Sequence, residues 1–173
     1  RLHELVSFIG RIAELAKLPH PEPQWHSVDD FMHELMARYA LQLREQNIAL
    51  TYHAEEPNMA FYADRFLFMR VFENVLKNAA ESIGKRSGEI RLEVVHQGRH
   101  CTFLVADNGM GITPEQQAQI FMPFFTSKTT GQGLGLLLCR EILQQHHFSF
   151  SLRTASDGWT RFQIGEIAYR KNT

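Results

Sequence analysis

Apolar positions recur at helical spacing in four stretches of the chain and alternate with polar ones in six shorter stretches. In the first stretch Leu2, Leu5, Ile9, Ile12 and Ala16 take the a and d places of two heptads. Residues 1–18 therefore read as the end of a helix, either one of a packed dimerisation pair or a single amphipathic surface helix. It cannot continue through Pro19-His20-Pro21-Glu22-Pro23, where the prolines remove donors and fix φ. Residues 19–26 are expected to be a linker, and 27–170 a folded domain. Ser27-Val28-Asp29-Asp30 offers N-cap chemistry for a helix to about Gln46. Strands are predicted from Asn47 to His53 and from Met59 to Tyr62. Asp64 caps a helix from Arg65 to Ile83, ended by Gly84 and Gly88. Two strands follow, Glu89 to Gln97 and His100 to Asp107, turning at Gly98. Asn108 to Gly133 is irregular, with one helical turn near Glu115 to Ile120. A helix from Leu134 to His146 precedes two last strands, Ser149 to Thr154 and Thr160 to Ile167, around the Asp157-Gly158 turn. The sum is an α+β two-layer sandwich, a mixed sheet with helices on one face.

Composition narrows what such a domain does. Of 173 residues, 44% are hydrophobic and 21% charged, ordinary for a globular chain and unlike a disordered or collagenous one. Eighteen Lys+Arg against nineteen Asp+Glu leave a net charge of −1, so no global field attracts nucleic acid or anionic lipid. No apolar run approaches the ~20 residues of a membrane span. Cys101 and Cys139 form no CxxC and no disulfide framework, and are expected as buried thiols in a reducing compartment. The chain opens at Arg1 with no signal-peptide pattern, and is expected to be the soluble, cytoplasmic part of a larger protein.

Three places carry candidate chemistry. On a wheel of the Arg65–Ile83 helix with Leu67 at the origin, Leu67, Phe68, Val71, Phe72, Val75, Leu76, Ala79 and Ile83 fill one apolar arc. Asn78 and Asn74 fall at about 20° and about 340°, on one edge of that arc and one turn apart. Asparagine is a poor interior helix residue, so the pair marks either a ligand site or amides bonding a neighbouring loop. Amide oxygens suit Mg²⁺ shared with phosphates. Next, the apolar strand Cys101 to Ala106 ends in Asp107-Asn108-Gly109-Met110-Gly111. A carboxylate there needs a donor, such as the amine of adenine, and the glycines admit close approach; Asn-Gly is equally an ordinary turn. Third, Gly131-Gln132-Gly133-Leu134-Gly135 opens a helix with Lys128 upstream, offering backbone N–H groups and a charge to phosphate. It matches neither GxGxxG nor a Walker loop. His3-Glu4 and His33-Glu34 fail HExxH at Ser7 and Ala37, and the adjacent His146-His147 diverge, so no zinc site is expected.

In this order the motifs resemble the ATP-binding catalytic domain of sensor histidine kinases, within the superfamily shared with gyrase, Hsp90 and mismatch-repair ATPases. The N box is Asn74-Val75-Leu76-Lys77-Asn78-Ala79, the first glycine box Asp107 to Ile112, the F box Phe121-Met122-Pro123-Phe124-Phe125-Thr126-Ser127-Lys128, and the second glycine box Gly131 to Leu136. The resemblance spans about Ser27 to Ile167. The F box and Leu18-Pro19-His20-Pro21-Glu22 look most like the nitrogen-regulation type.

The resemblance implies a Bergerat-type ATP fold, with ATP and Mg²⁺ as cofactors. It assigns Asn78 to the metal, Asn74 to its support, Asp107 to the adenine amine, and Gly109 and Gly111 to the entry of the base. It assigns Phe124, Phe125 and Lys128 to a lid, Gly133, Leu134, Gly135 and Leu136 to the phosphates, and Thr160 to the base region. Two departures stand out: Gly158-Trp159-Thr160 replaces a Gly-Thr pair, and His146-His147-Phe148 lacks the glycine usual after its helix. His3-Glu4-Leu5-Val6-Ser7-Phe8 begins like the phosphoacceptor box but lacks its proline and lies too near the linker. The acceptor is therefore expected on another helix, in cis or in trans, and the piece alone is expected not to label itself. The implied partners are ATP, that helix and a response-regulator receiver domain, with a homodimeric, membrane-anchored parent and no nucleic acid; the piece itself is expected as a monomer. Hydrolysing relatives carry a glutamate base where Asn74 stands, which favours transfer to histidine over a switch ATPase. A nucleotide-binding module without transfer activity stays open. Glu73, beside Asn74, is a candidate to orient the incoming histidine.

Overall fold

The computed structural model describes residues 17–122 and 134–172. Seven strands and four helices follow the predicted order, with one strand added: β1 (Gln24–Ser27), α1 (Val28–Glu45), β2 (Ile48–Ala54), β3 (Met59–Ala63), α2 (Arg65–Ile83), β4 (Gly88–Gln97), β5 (His100–Asp107), α3 (Pro114–Gln119), α4 (Gly135–Gln145), β6 (Ser149–Thr154) and β7 (Thr160–Lys171). The sheet runs β1-β3-β7-β5-β4-β2, and β6 also pairs with β7. Only β2 and β4 are parallel; the other pairs are antiparallel.

The caps act as the sequence suggests. Ser27 accepts from the Asp30 amide and Asp64 from the Leu67 amide. Thr113 and Gln116 close a capping box on α3, whose first residue is Pro114. The apolar arc of α2 is buried throughout. On β4, Ile90, Leu92 and Val94 point into the core, while Arg91 and Val95 are exposed on the opposite side. Between the two layers Phe31, Phe61, Phe68, Phe72 and Phe103 pack with ring centroids 5.1–6.4 Å apart, several edge to face. Both cysteines are buried, and burial pushes their thiols up to about 12.

Two expectations are corrected. The end of the expected linker, Gln24 to His26, belongs with Ser27 to a strand: it pairs with β3 in the register Gln24↔Ala63 to Ser27↔Ala60, and the Asp64 carboxylate accepts from the Glu22 amide. The three prolines conceal a strand too short to show alternation. The last strand also does not stop at Ile167. A bulge at Gly165 and Glu166, the latter at φ 60°, shifts the alternation by one residue, and β7 continues to Lys171 to pair with β3. The predicted first helix, over residues 1–18, falls almost wholly outside the described residues.

Candidate nucleotide site

The predicted site residues that fall among the described ones come from α2, β5, β7 and the start of α4. α2 supplies Asn74 and Asn78, both half-buried. The Asn74 amide nitrogen donates to the Arg70 carbonyl at 2.8 Å, and its oxygen faces the start of α4. That oxygen lies 3.0 Å from where a Cβ on Gly135 would sit. Any side chain at Gly135 would press on Asn74, so this glycine lets α4 begin against the N box. Among the described residues no side-chain hydrogen bond involves Asn78, one turn further along. A half-buried amide with its oxygen unused is suited to a ligand.

β5 supplies Asp107, a carboxylate only 7% exposed at the end of an apolar strand. One oxygen accepts from the Gly109 amide at 2.9 Å. Gly109 in turn lies hard against α2: an added Cβ would meet the Ser82 hydroxyl at 2.2 Å and its backbone carbon at 2.7 Å. The Met110 amide donates to the Ser82 carbonyl at 3.2 Å. Gly111, at φ 77°, turns the chain over Thr154. The first glycine box is thereby clamped to the C-terminal turn of the N-box helix.

β7 supplies Thr160, which is 5% exposed and stands opposite Asp107 in the β5–β7 register. Thr154 was not among the predicted site residues. Its hydroxyl accepts from the Ile112 amide at 2.8 Å and lies 3.0 Å from the Thr160 hydroxyl. The signal available was the threonine pair flanking the Asp157-Gly158 turn. Trp159 turns away from this row, with Arg91 stacked 4.1 Å over its ring.

At the second glycine box Leu134 is buried and Leu136 is packed against the core. α4 starts without a side-chain cap, leaving its first amides to another partner. Phe121, the first F-box residue, packs on Phe150 and Phe162, and its carbonyl accepts from Arg140 at 3.1 Å. Phe124, Phe125, Lys128 and Gly133 lie outside the described residues.

Glu73, the candidate to orient an incoming histidine, lies against α1. Its carboxylate is 3.4 Å from Arg38 on α1, and its charge and hydrogen bond add to burial in raising the Tyr39 hydroxyl. Glu73 and Asn74 border an open groove of about 580 Å³ between α1 and α2.

Among the described residues no cluster of three or more His, Cys, Asp or Glu could hold a metal. The donors fit a Mg²⁺ that arrives with phosphate oxygens and takes one amide oxygen, that of Asn78, from the protein.

A buried carboxylate at a strand end, two glycine turns and an amide pair on one helix define a nucleotide-binding domain of the Bergerat type. The chain belongs to the family of histidine kinase-, DNA gyrase B- and HSP90-like ATPases, whose model matches residues 63–170. Among curated relatives it is 33% identical over 165 residues to the sensor histidine kinase ZraS of Salmonella typhimurium, covering 95% of this chain and 35% of that protein. It is 30% identical over 159 residues to the C4-dicarboxylate transport sensor protein DctS of Rhodobacter capsulatus, covering 90% of this chain and 24% of that one. The chain thus spans about a quarter to a third of these relatives. The nucleotide-free catalytic domain of histidine kinase ThkA superposes with a TM-score of 0.76 at 26% identity, over 83% of this chain and 94% of that one. ThkA in complex with response regulator TrrA gives 0.82 at 23% identity, over 96% and 48%, a likeness of fold. No helix among the described residues is long and apolar enough to cross a membrane.

Proposed function

We propose that this domain binds MgATP and transfers its γ-phosphoryl group to a histidine on a helix outside the described residues, as the catalytic unit of a two-component sensor kinase. The observation that supports the reading is that the helix of Asn74 and Asn78 meets Gly135 at Asn74 and meets, at Ser82, the Gly109 turn bonded to Asp107. Asp107 accepts from the adenine amine. The Asn78 oxygen is the protein ligand for Mg²⁺, and the open amides of α4 face the phosphates. Phosphoryl transfer needs positioning and charge neutralisation more than covalent help. An imidazole nucleophile needs no base, which agrees with an amide at position 74. The acceptor helix belongs to the same protein, in cis or in trans within a homodimer, and the phosphoryl group passes on to a response-regulator receiver domain. The parent is anchored to the membrane with this domain in the cytoplasm.

Calorimetric titration with MgATP tests the site. Wild type is expected to bind only with Mg²⁺ present, and Asn78→Ala to bind at least about tenfold more weakly while keeping its melting temperature, the loss of one charge-assisted contact. Unchanged affinity in a folded Asn78→Ala variant removes Asn78 from the metal. Transfer is tested by adding γ-labelled ATP and the parent protein's histidine-bearing helical hairpin. Acid-labile label on that hairpin supports transfer, and label remaining wholly in ATP reduces the domain to a binding module.

A further inference from the structure

Thr154, Thr160 and Asp107 lie in one cross-strand row over β6, β7 and β5, joined by the registers Thr154↔Thr160 and Asp107↔Thr160. Thr160 and Asp107 are buried. Thr154 carries one proton and two lone pairs. One lone pair already accepts from the Ile112 amide. A hydroxyl that accepts becomes a better donor, because hydrogen bonds in a chain polarise one another. The 3.0 Å contact between the two hydroxyls is therefore best made by the Thr154 proton on the Thr160 oxygen. The Thr160 proton is then directed away from Thr154, to the side of the row on which Asp107 stands.

We propose that Thr154 is a positioning residue for base recognition: it fixes the Thr160 hydroxyl as a donor to the purine ring nitrogen N1. The inference rests on the reading of Asp107 as the acceptor for the adenine amine. In adenine the acceptor N1 is next to the carbon that bears that amine, so a carboxylate and an aligned hydroxyl proton read the edge as a pair. In guanine N1 carries a proton and the neighbouring group is a carbonyl, so both contacts oppose. The same Thr154 hydroxyl holds Ile112 and underlies Gly111, whose added Cβ would meet it at 3.1 Å. One side chain thus places both the glycine turn and the donor.

The test compares ATP with its 1-deaza analogue, in which N1 is a C–H, by titration of wild type, Thr154→Val and Thr154→Ser. Valine keeps the shape and the β-branch but has no proton to give. Wild type should prefer ATP by about fivefold to thirtyfold, the range of one hydrogen bond in a buried site. Thr154→Val should shrink that preference to within about threefold, mostly by weakening ATP, and Thr154→Ser should keep it. Because the ratio is taken within each protein, a general loss of packing cancels. Equal weakening of both nucleotides by Thr154→Val, or no preference for ATP in wild type, overturns the role of Thr154 and leaves the site reading standing. Wild type that binds neither nucleotide overturns the site reading, and this inference with it.

Discussion

Each long helix ends next to a residue of positive φ, and one of the three carries avoidable strain. After α1 the residue is Asn47 at φ 60°, and after α2 it is Gly84 at φ 69°. After α4 it is His147, also at φ 60°. The bonds around it are those of a Schellman turn: Phe148 N–H to the Leu143 carbonyl at 3.0 Å and His147 N–H to the Gln144 carbonyl at 3.0 Å. The turn therefore demands the left-handed conformation at position 147 whatever stands there. Glycine takes it without cost and asparagine at little, but a residue with an ordinary Cβ loses about 1–2 kcal/mol. His147→Gly recovers that amount, less the roughly 0.5–1 kcal/mol that glycine's freer unfolded chain costs. The expected net gain is about 0.5–1 kcal/mol, or roughly 1–4 °C in Tm for a domain of this size. His147 is exposed, so no packing is lost. The assay is a thermal melt of wild type, His147→Gly and His147→Ala at pH 7.5. Alanine keeps the Cβ and should gain nothing. If alanine stabilises as much as glycine, the effect belongs to the histidine side chain. If glycine leaves Tm unchanged or lower, the account from backbone strain is wrong.

Two further outcomes follow from buried polar groups. His146 gives its Nδ1 proton to the Ile142 carbonyl at 2.8 Å and accepts the Asp64 amide on Nε2 at 3.1 Å; burial, with a smaller contribution from His147, lowers its pKa despite the nearby Asp64 charge. The unfolded chain therefore binds more protons between that lowered value and the ordinary ~6.5, and stability should fall as pH drops through this window and level off below it. His26 is lowered too, by burial and Arg65, and contributes in the same direction. Melts at pH 7.5 and 5.5 should show a smaller drop for His146→Gln than for wild type, and an equal drop would refute the assignment. At the site, Asp107→Asn keeps shape but adds a donor, and should weaken ATP by about tenfold or more while narrowing its advantage over GTP. A competition titration in which the ratio of ATP to GTP affinity does not move returns Asp107 to the turn.

The elements themselves were readable in sequence because their causes are local. The Arg65–Ile83 helix is written in a cap at Asp64, an apolar arc and a terminal glycine. The β5 strand and its Asp107 terminus are written in an apolar run that stops at a carboxylate. The amide pair, the aspartate-glycine turn and the second glycine run each left a plainer reading open, and it was the resemblance carried by their order that gave the nucleotide reading. What pairing alone decides was not readable. Gln24–Ser27 has no strand pattern of its own and becomes β1 because β3 offers an edge. The bulge at Glu166 hides the rest of β7, because an added residue inverts the alternation that marks a strand. That Glu73 points 100° away from Asn74 follows from helix geometry, but that it meets Arg38 on α1 does not. Thr154 sits 47 residues from Asp107 along the chain, and only the registers of β6 and β5 on β7 bring its hydroxyl into the row that ends at Asp107. Local propensity and spacing fixed which residues have the chemistry; strand register, which depends on the whole sheet, decided which of them meet.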